Sequence, residues 1–190
     1  MKFLVYFFIL FNIISCSQKE RACETKLKKA LQITSRHYSD INSPSLDSAL
    51  NLINESLICD TLRKSKVEWK LRILITLQRF TEAAQFTDSL KEDDFRFGYQ
   101  KELMRKDILA RQFNLINDSS KRDSIYLDMT LYLKRHINSH DLNSKEFEEA
   151  FTDLYSIKQN FLDTIILRKE IDSLKKVYPD KERFFSFFSF

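Results

Sequence analysis

Two imidazoles stand four residues apart in His136-Ile137-Asn138-Ser139-His140. That spacing brings both rings to one face of a helix, where they could share a zinc ion, with Asp141 as a candidate third ligand. A zinc-protease helix would carry Glu directly after the first His, and Ile137 holds that place. His136 also falls in an apolar stripe, where a packed, hydrogen-bonded histidine is the commoner occurrence. The remaining histidine, His37, ends a helical segment and reads as a favourable C-terminal charge. Hydrolysis through a nucleophilic Ser would need a Gly-flanked elbow, which is missing. Glu92-Asp93-Asp94 offers neighbouring carboxylates, but at a helix end after Lys91, where water solvates them. The expectation from these residues is no catalytic site, no metal and no cofactor.

The first 16 residues carry a different chemistry. Lys2 precedes the apolar run Phe3–Phe11, and a small residue, Ser15, precedes Cys16. Those are the parts of a secretory signal peptide, and the run is too short to span the roughly 30 Å hydrocarbon core. Ile13-Ile14-Ser15-Cys16 resembles the bacterial lipobox. The resemblance implies cleavage before Cys16 and acylation of its thiol and new amine, so membrane lipid is the first expected partner. Two or three acyl chains anchor stably where one does not. The family's inner-membrane retention signal places Asp after the Cys, and Ser17 stands there. Ser17-Gln18-Lys19-Glu20-Arg21 also lacks the acidic run associated with surface export. An outer-membrane lipoprotein facing the periplasm is the implied location.

The elements that would present these groups must be helical. The 190 residues include one Gly and two Pro, where average usage would give roughly 13 and 10. Gly98 alone cannot build a phosphate-cradling loop, and tight hairpins and bulges are equally short of material. β-Sandwich, Rossmann and P-loop architectures are thereby excluded. Charged residues are 31% of the chain, interleaved in sign, with a net charge of +4. The cluster Lys26-Leu27-Lys28-Lys29 is balanced by Glu20 and Glu24, so no nucleic-acid partner is expected. An aromatic content of 13% gives the chain ample surface to bury and argues against disorder.

Leaving Cys16 to lipid, Cys23 and Cys59 are an even pair in an oxidising compartment. Residues 22–38 read as a helix with Ala22, Leu27, Ala30, Leu31 and Thr34 near one face. Ser43-Pro44 then opens a second helix, Ser as N-cap and Pro at the first position. Its stripe is Leu46, Ala49, Leu50, Ile53 and Leu57. An antiparallel hairpin turning near Ile41 would bring Cys23 and Cys59 side by side at its open end, as a disulfide or as two buried thiols.

An internal period follows. Ala49 and Ala83 are 34 residues apart, with a small residue seven positions after the first (Ser56) and six after the second (Ser89), and Ala150 lies 67 beyond Ala83. Phe80-Thr81-Glu82-Ala83 and Phe147-Glu148-Glu149-Ala150 share an aromatic-x-Glu-Ala start. This pattern resembles the second helix of a tetratricopeptide repeat, where the small Ala lets paired helices approach. The resemblance implies an all-α chain of antiparallel hairpins stacked as a short solenoid; a plain α–α bundle is the alternative. Arg72 stands where the family has Gly, the closing Pro is absent after Asp60 and Lys91, and position 117 falls in a connection.

Further helices are expected over 64–78 (Trp69, Leu71, Leu74, Leu77), with a one-residue break into Phe80, and over 99–116 (Leu103, Ile108, Leu109, Phe113, Ile116). Ser120–Asp123 would cap a helix bearing Ile125, Met129, Tyr132, Leu133, His136 and Ile137. Asn143-Ser144-Lys145-Glu146 reads as a capping box before Phe147, Ala150, Phe151, Leu154 and Tyr155. Leu167, Ile171, Leu174 and Tyr178 form the last stripe, which Pro179 ends. The expected order is a signal peptide (1–15), a short tether (16–21), a helical-repeat domain of about eight helices (22–178) and a Phe-rich tail (179–190). The tail has five Phe in its last seven residues, and either caps the last hairpin or docks on a partner. The leading expectation is a lipid-anchored scaffold that holds a protein or peptide. A purely structural lipoprotein, or one that binds or converts a small molecule, stands behind it.

Overall fold

The computed structural model describes residues 2–39 and 45–188, with side chains from Gln18 onward except at residue 38. The fold is all-α, with nine α-helices and no strand among the described residues. In chain order these are α1 (Lys2–Ser39), α2 (Leu46–Ser56), α3 (Arg63–Thr76), α4 (Phe80–Ser89), α5 (Gln100–Leu115), α6 (Ser119–Asn138), α7 (Lys145–Lys158), α8 (Thr164–Val177) and α9 (Glu182–Phe185). The segment 16–21, expected as a tether, continues α1. The chain divides into two compact units, Met1–Lys101 and Glu102–Phe190.

In the first unit α1 packs on α2, α2 on α3 and α3 on α4. The buried face of α1 is Cys23, Leu27, Ala30 and Thr34. Ala22, expected on that face, is exposed, and Cys23 takes its place. Ala30, Ala49 and Ala83 have no exposed surface. Ser45 caps α2, its Oγ accepting from the Asp47 N–H at 3.1 Å. Ser43, Pro44 and the turn near Ile41 lie outside the described residues. In α3 the core positions are Val67, Leu71, Ile73 and Leu74, while Trp69 and Leu77 are only half-buried.

The shortage of glycine is met by strain at helix ends. Gln78 and Asn117 have φ of 57° and 58°, the left-handed region in which a helix C-terminus normally places Gly. Beyond them the Arg79 N–H donates to the Leu74 carbonyl and the Asp118 N–H to that of Phe113, each at 2.9 Å. These bonds satisfy carbonyls that the helices would otherwise leave open. The break before Phe80 is therefore three residues, Leu77–Arg79, where one was expected.

In the second unit Asp118 caps α6, accepting from the Lys121 N–H, so Ser120–Asp123 lie inside the helix. Tyr126, Met129 and Leu133 of α6 are buried, as are Phe147, Ala150, Phe151 and Leu154 of α7 and Leu167 and Ile171 of α8. Leu109 and Ile116 of the expected α5 stripe are exposed instead. Beyond Pro179 the tail folds back: Phe185 is wholly buried, and Phe184, Phe185 and Phe188 ring centroids lie 5.2–5.5 Å from that of Phe151. Edge-on and tilted ring contacts of this kind add to the area term. The tail thus caps the hydrophobic core that α7 and α8 supply; Ser189 and Phe190 lie outside the described residues.

Candidate functional site

Three ionisable side chains of the second unit converge where α6 ends and α7 begins. Ser139 terminates α6, and its hydroxyl donates to the His136 carbonyl at 2.7 Å. His140 Nδ1 lies 2.7 Å from the same carbonyl. A carbonyl only accepts, so Nδ1 carries a proton, and in the neutral ring the lone pair falls on His140 Nε2. Asp141 turns away: its Oδ1 accepts from the Asn143 N–H at 3.0 Å, shaping the connection. Ser144 caps α7 by accepting from the Phe147 N–H at 3.0 Å.

With Ser144 as the cap, Glu146 is the second residue of α7. The expected capping box would have turned its side chain onto the backbone; here it reaches α6. Glu146 Oε1 lies 3.1 Å from His136 Nε2 and 3.8 Å from His140 Nε2. The two rings are 4.1 Å apart between centroids. Among the described residues these three are the cluster of His, Cys and carboxylate side chains able to converge on one metal ion, with donor atoms within 4.8 Å of one another. Burial, and then the neighbouring His140, push the His136 imidazole below its ordinary value, with Glu146 opposing. The third member is thus Glu146, not Asp141.

Beside the cluster, and sharing His140, is a half-open cavity of about 360 Å³. Phe147, Phe151, Leu154 and Phe185 give it an apolar floor, and Lys134, Asn138 and His140 stand among its polar lining. Lys158, also on the wall, is buried and paired with Glu170. Glu170 also accepts from the Tyr155 hydroxyl at 3.1 Å. Burial pushes the Tyr155 phenol strongly up, so it remains a neutral donor.

The other expected positions fall elsewhere. Cys23 and Cys59 are joined by a disulfide, with Cα atoms 6.4 Å apart. Ala49, Ala83 and Ala150 are fully buried in α2, α4 and α7, and Phe80 and Phe147 are buried beside them in sequence. Cys16 lies outside the described side chains. Sequence reasoning missed three buried charges. Lys66 caps α2 from α3, donating to the carbonyls of Ser56 at 2.8 Å and Cys59 at 2.9 Å. Asp94, expected to be solvated, is buried in an ion pair with Arg63. The Lys158–Glu170 pair is the third. The one available signal was position, since Lys158 continues the Phe151–Leu154–Tyr155 stripe.

Among the described residues no helix is long and apolar enough to cross a membrane. No family model matches the chain, and no curated protein or solved structure matches it.

Proposed function

We propose that the protein is a lipid-anchored helical scaffold of the bacterial cell envelope that holds an extended peptide or protein segment. The observation that carries this reading is the cavity of the second unit. Its aromatic floor suits a bulky apolar side chain, and Lys134 at its margin suits a neighbouring carboxylate. Its volume, about 360 Å³, is at the small end for ligand sites and fits one or two side chains. The lipobox-like Ile13–Cys16 supports the anchor and, with Ser17, an outer-membrane, periplasm-facing position. A disulfide between Cys23 and Cys59 suits an oxidising compartment. Buried alanines at a 34-residue interval in α2 and α4 support the tetratricopeptide-like reading of the first unit.

One fractionation experiment tests anchor and groove together. A labelled peptide pairing Phe or Leu with Asp or Glu should bind envelope membranes carrying the wild-type protein. Cys16→Ser should move both protein and peptide binding to the soluble fraction. Asn138→Trp, which plugs the margin, and Lys134→Glu should each abolish binding without changing the fractionation. Peptide binding indifferent to both cavity variants overturns the groove, and a Cys16→Ser protein that stays membrane-bound overturns the lipid anchor.

A further inference from the structure

His136, His140 and Glu146 have the identities and spacing of a transition-metal site, and three observations converge on that use. The donor atoms are already gathered. Ligands on a tetrahedral zinc ion with bonds of about 2.0–2.1 Å sit roughly 3.3 Å apart, and the two His–Glu separations here are 3.1 and 3.8 Å. The His140 tautomer is set by the His136 carbonyl, which leaves Nε2 as the ligand atom. A backbone acceptor on the far nitrogen is the usual support of a metal-bound imidazole. Finally, the carboxylate comes from a different helix, and the Ser144 cap fixes the first turn that carries it. All three side chains are partly exposed, so an ion can reach them.

We propose that His136 Nε2, His140 Nε2 and a Glu146 carboxylate oxygen bind a divalent ion of the zinc type, leaving one coordination position for water or an exchangeable anion. Two imidazoles and one carboxylate suit zinc over magnesium or calcium, which take all-oxygen sites. On binding, the His136 proton now shared with Glu146 moves from Nε2 to Nδ1, and the ion occupies the place of that hydrogen bond. Because His140 also lines the cavity, the open position lies against the space assigned above to a peptide. The site itself does not depend on that assignment.

The test is a Co²⁺ titration of the metal-stripped, full-length protein in detergent, followed by back-titration with Zn²⁺. The expected result is a saturable 1:1 visible absorption of four-coordinate cobalt that Zn²⁺ bleaches. His140→Gln and Glu146→Gln, both at partly exposed positions, should each weaken binding by at least about tenfold, while His37→Gln leaves it unchanged. Helical circular dichroism of each variant separates ligand loss from unfolding. Absence of saturable binding, or binding unaltered in both variants, overturns the site.

Discussion

The first unit closes on a covalent bond and on charges directed at its own backbone; the second closes on stacked phenylalanines and leaves its ionisable groups facing one another. In the first, Cys23–Cys59 ties α1 to the end of α2, and Lys66 saturates two carbonyls at that same end. In the second, Phe151 gathers three tail rings, while His136, His140 and Glu146 stand beside an open cavity. Polar groups consumed by backbone capping have no valence left for a ligand. Side chains that meet one another partly in water, as Glu146 meets the two Nε2 atoms, can exchange partners. The contrast places rigidity in the first unit and chemistry in the second.

The contrast can be broken from either side. Phe185→Ala removes a wholly buried ring from the tail cap and should cost about 3–5 kcal/mol. Peptide-resolved hydrogen exchange should place that loss within residues 102–188; a loss centred on 18–101 would defeat the comparison. Opening the disulfide with Cys23→Ser/Cys59→Ser is next in size. For a separation of 36 residues the chain-entropy estimate is roughly 3.8 kcal/mol, acting through the unfolded chain, which the bond restricts. Chemical denaturation followed within 18–101 reads it, and an unchanged midpoint there would show that the non-covalent packing suffices.

The smallest effect sharpens the comparison by pH. The Arg63 guanidinium bonded to Asp94 holds its carboxyl below the usual range, aided by the Lys91 N–H. The folded value is depressed, so the stabilisation is present above the unfolded value of about 3.9 and is lost as pH falls below it. Asp94→Asn should flatten the acid limb of the first unit's stability curve and lower its plateau at neutral pH. An identical acid limb in wild type and variant would assign the sensitivity to other carboxylates.

How far the chain could be read in advance depended on how local the deciding contact was. The Leu46–Ala49–Leu50–Ile53 stripe identifies α2, because all four are buried at helical spacing. The start of α7 was ambiguous because Asn143 and Ser144 are both good caps. Shifting the cap by one residue moves Glu146 from the third helical position to the second, and its carboxylate from the backbone to the histidines. No local rule decides between them; the decision comes from the ring of His136 one helix away. Asp94 and Lys66 have the same difficulty in stronger form, since their partners are 31 residues away and across a helix connection. Charge and hydropathy alone put both in water.

The disulfide also determines how the molecule carries a load. Tension applied at the N-terminal end of α1 reaches Cys23 and crosses directly to Cys59, bypassing the 35 residues of chain between them. A protein held at its N-terminus and pulled from beyond α2 therefore keeps the far half of α1 and all of α2 out of the force line. At about 3.6 Å per residue, that shielded segment would add at most roughly 130 Å to the tether once the bond is reduced and the α1–α2 packing is pulled open. The oxidised form is a short handle, and the bond caps how far it can be drawn out.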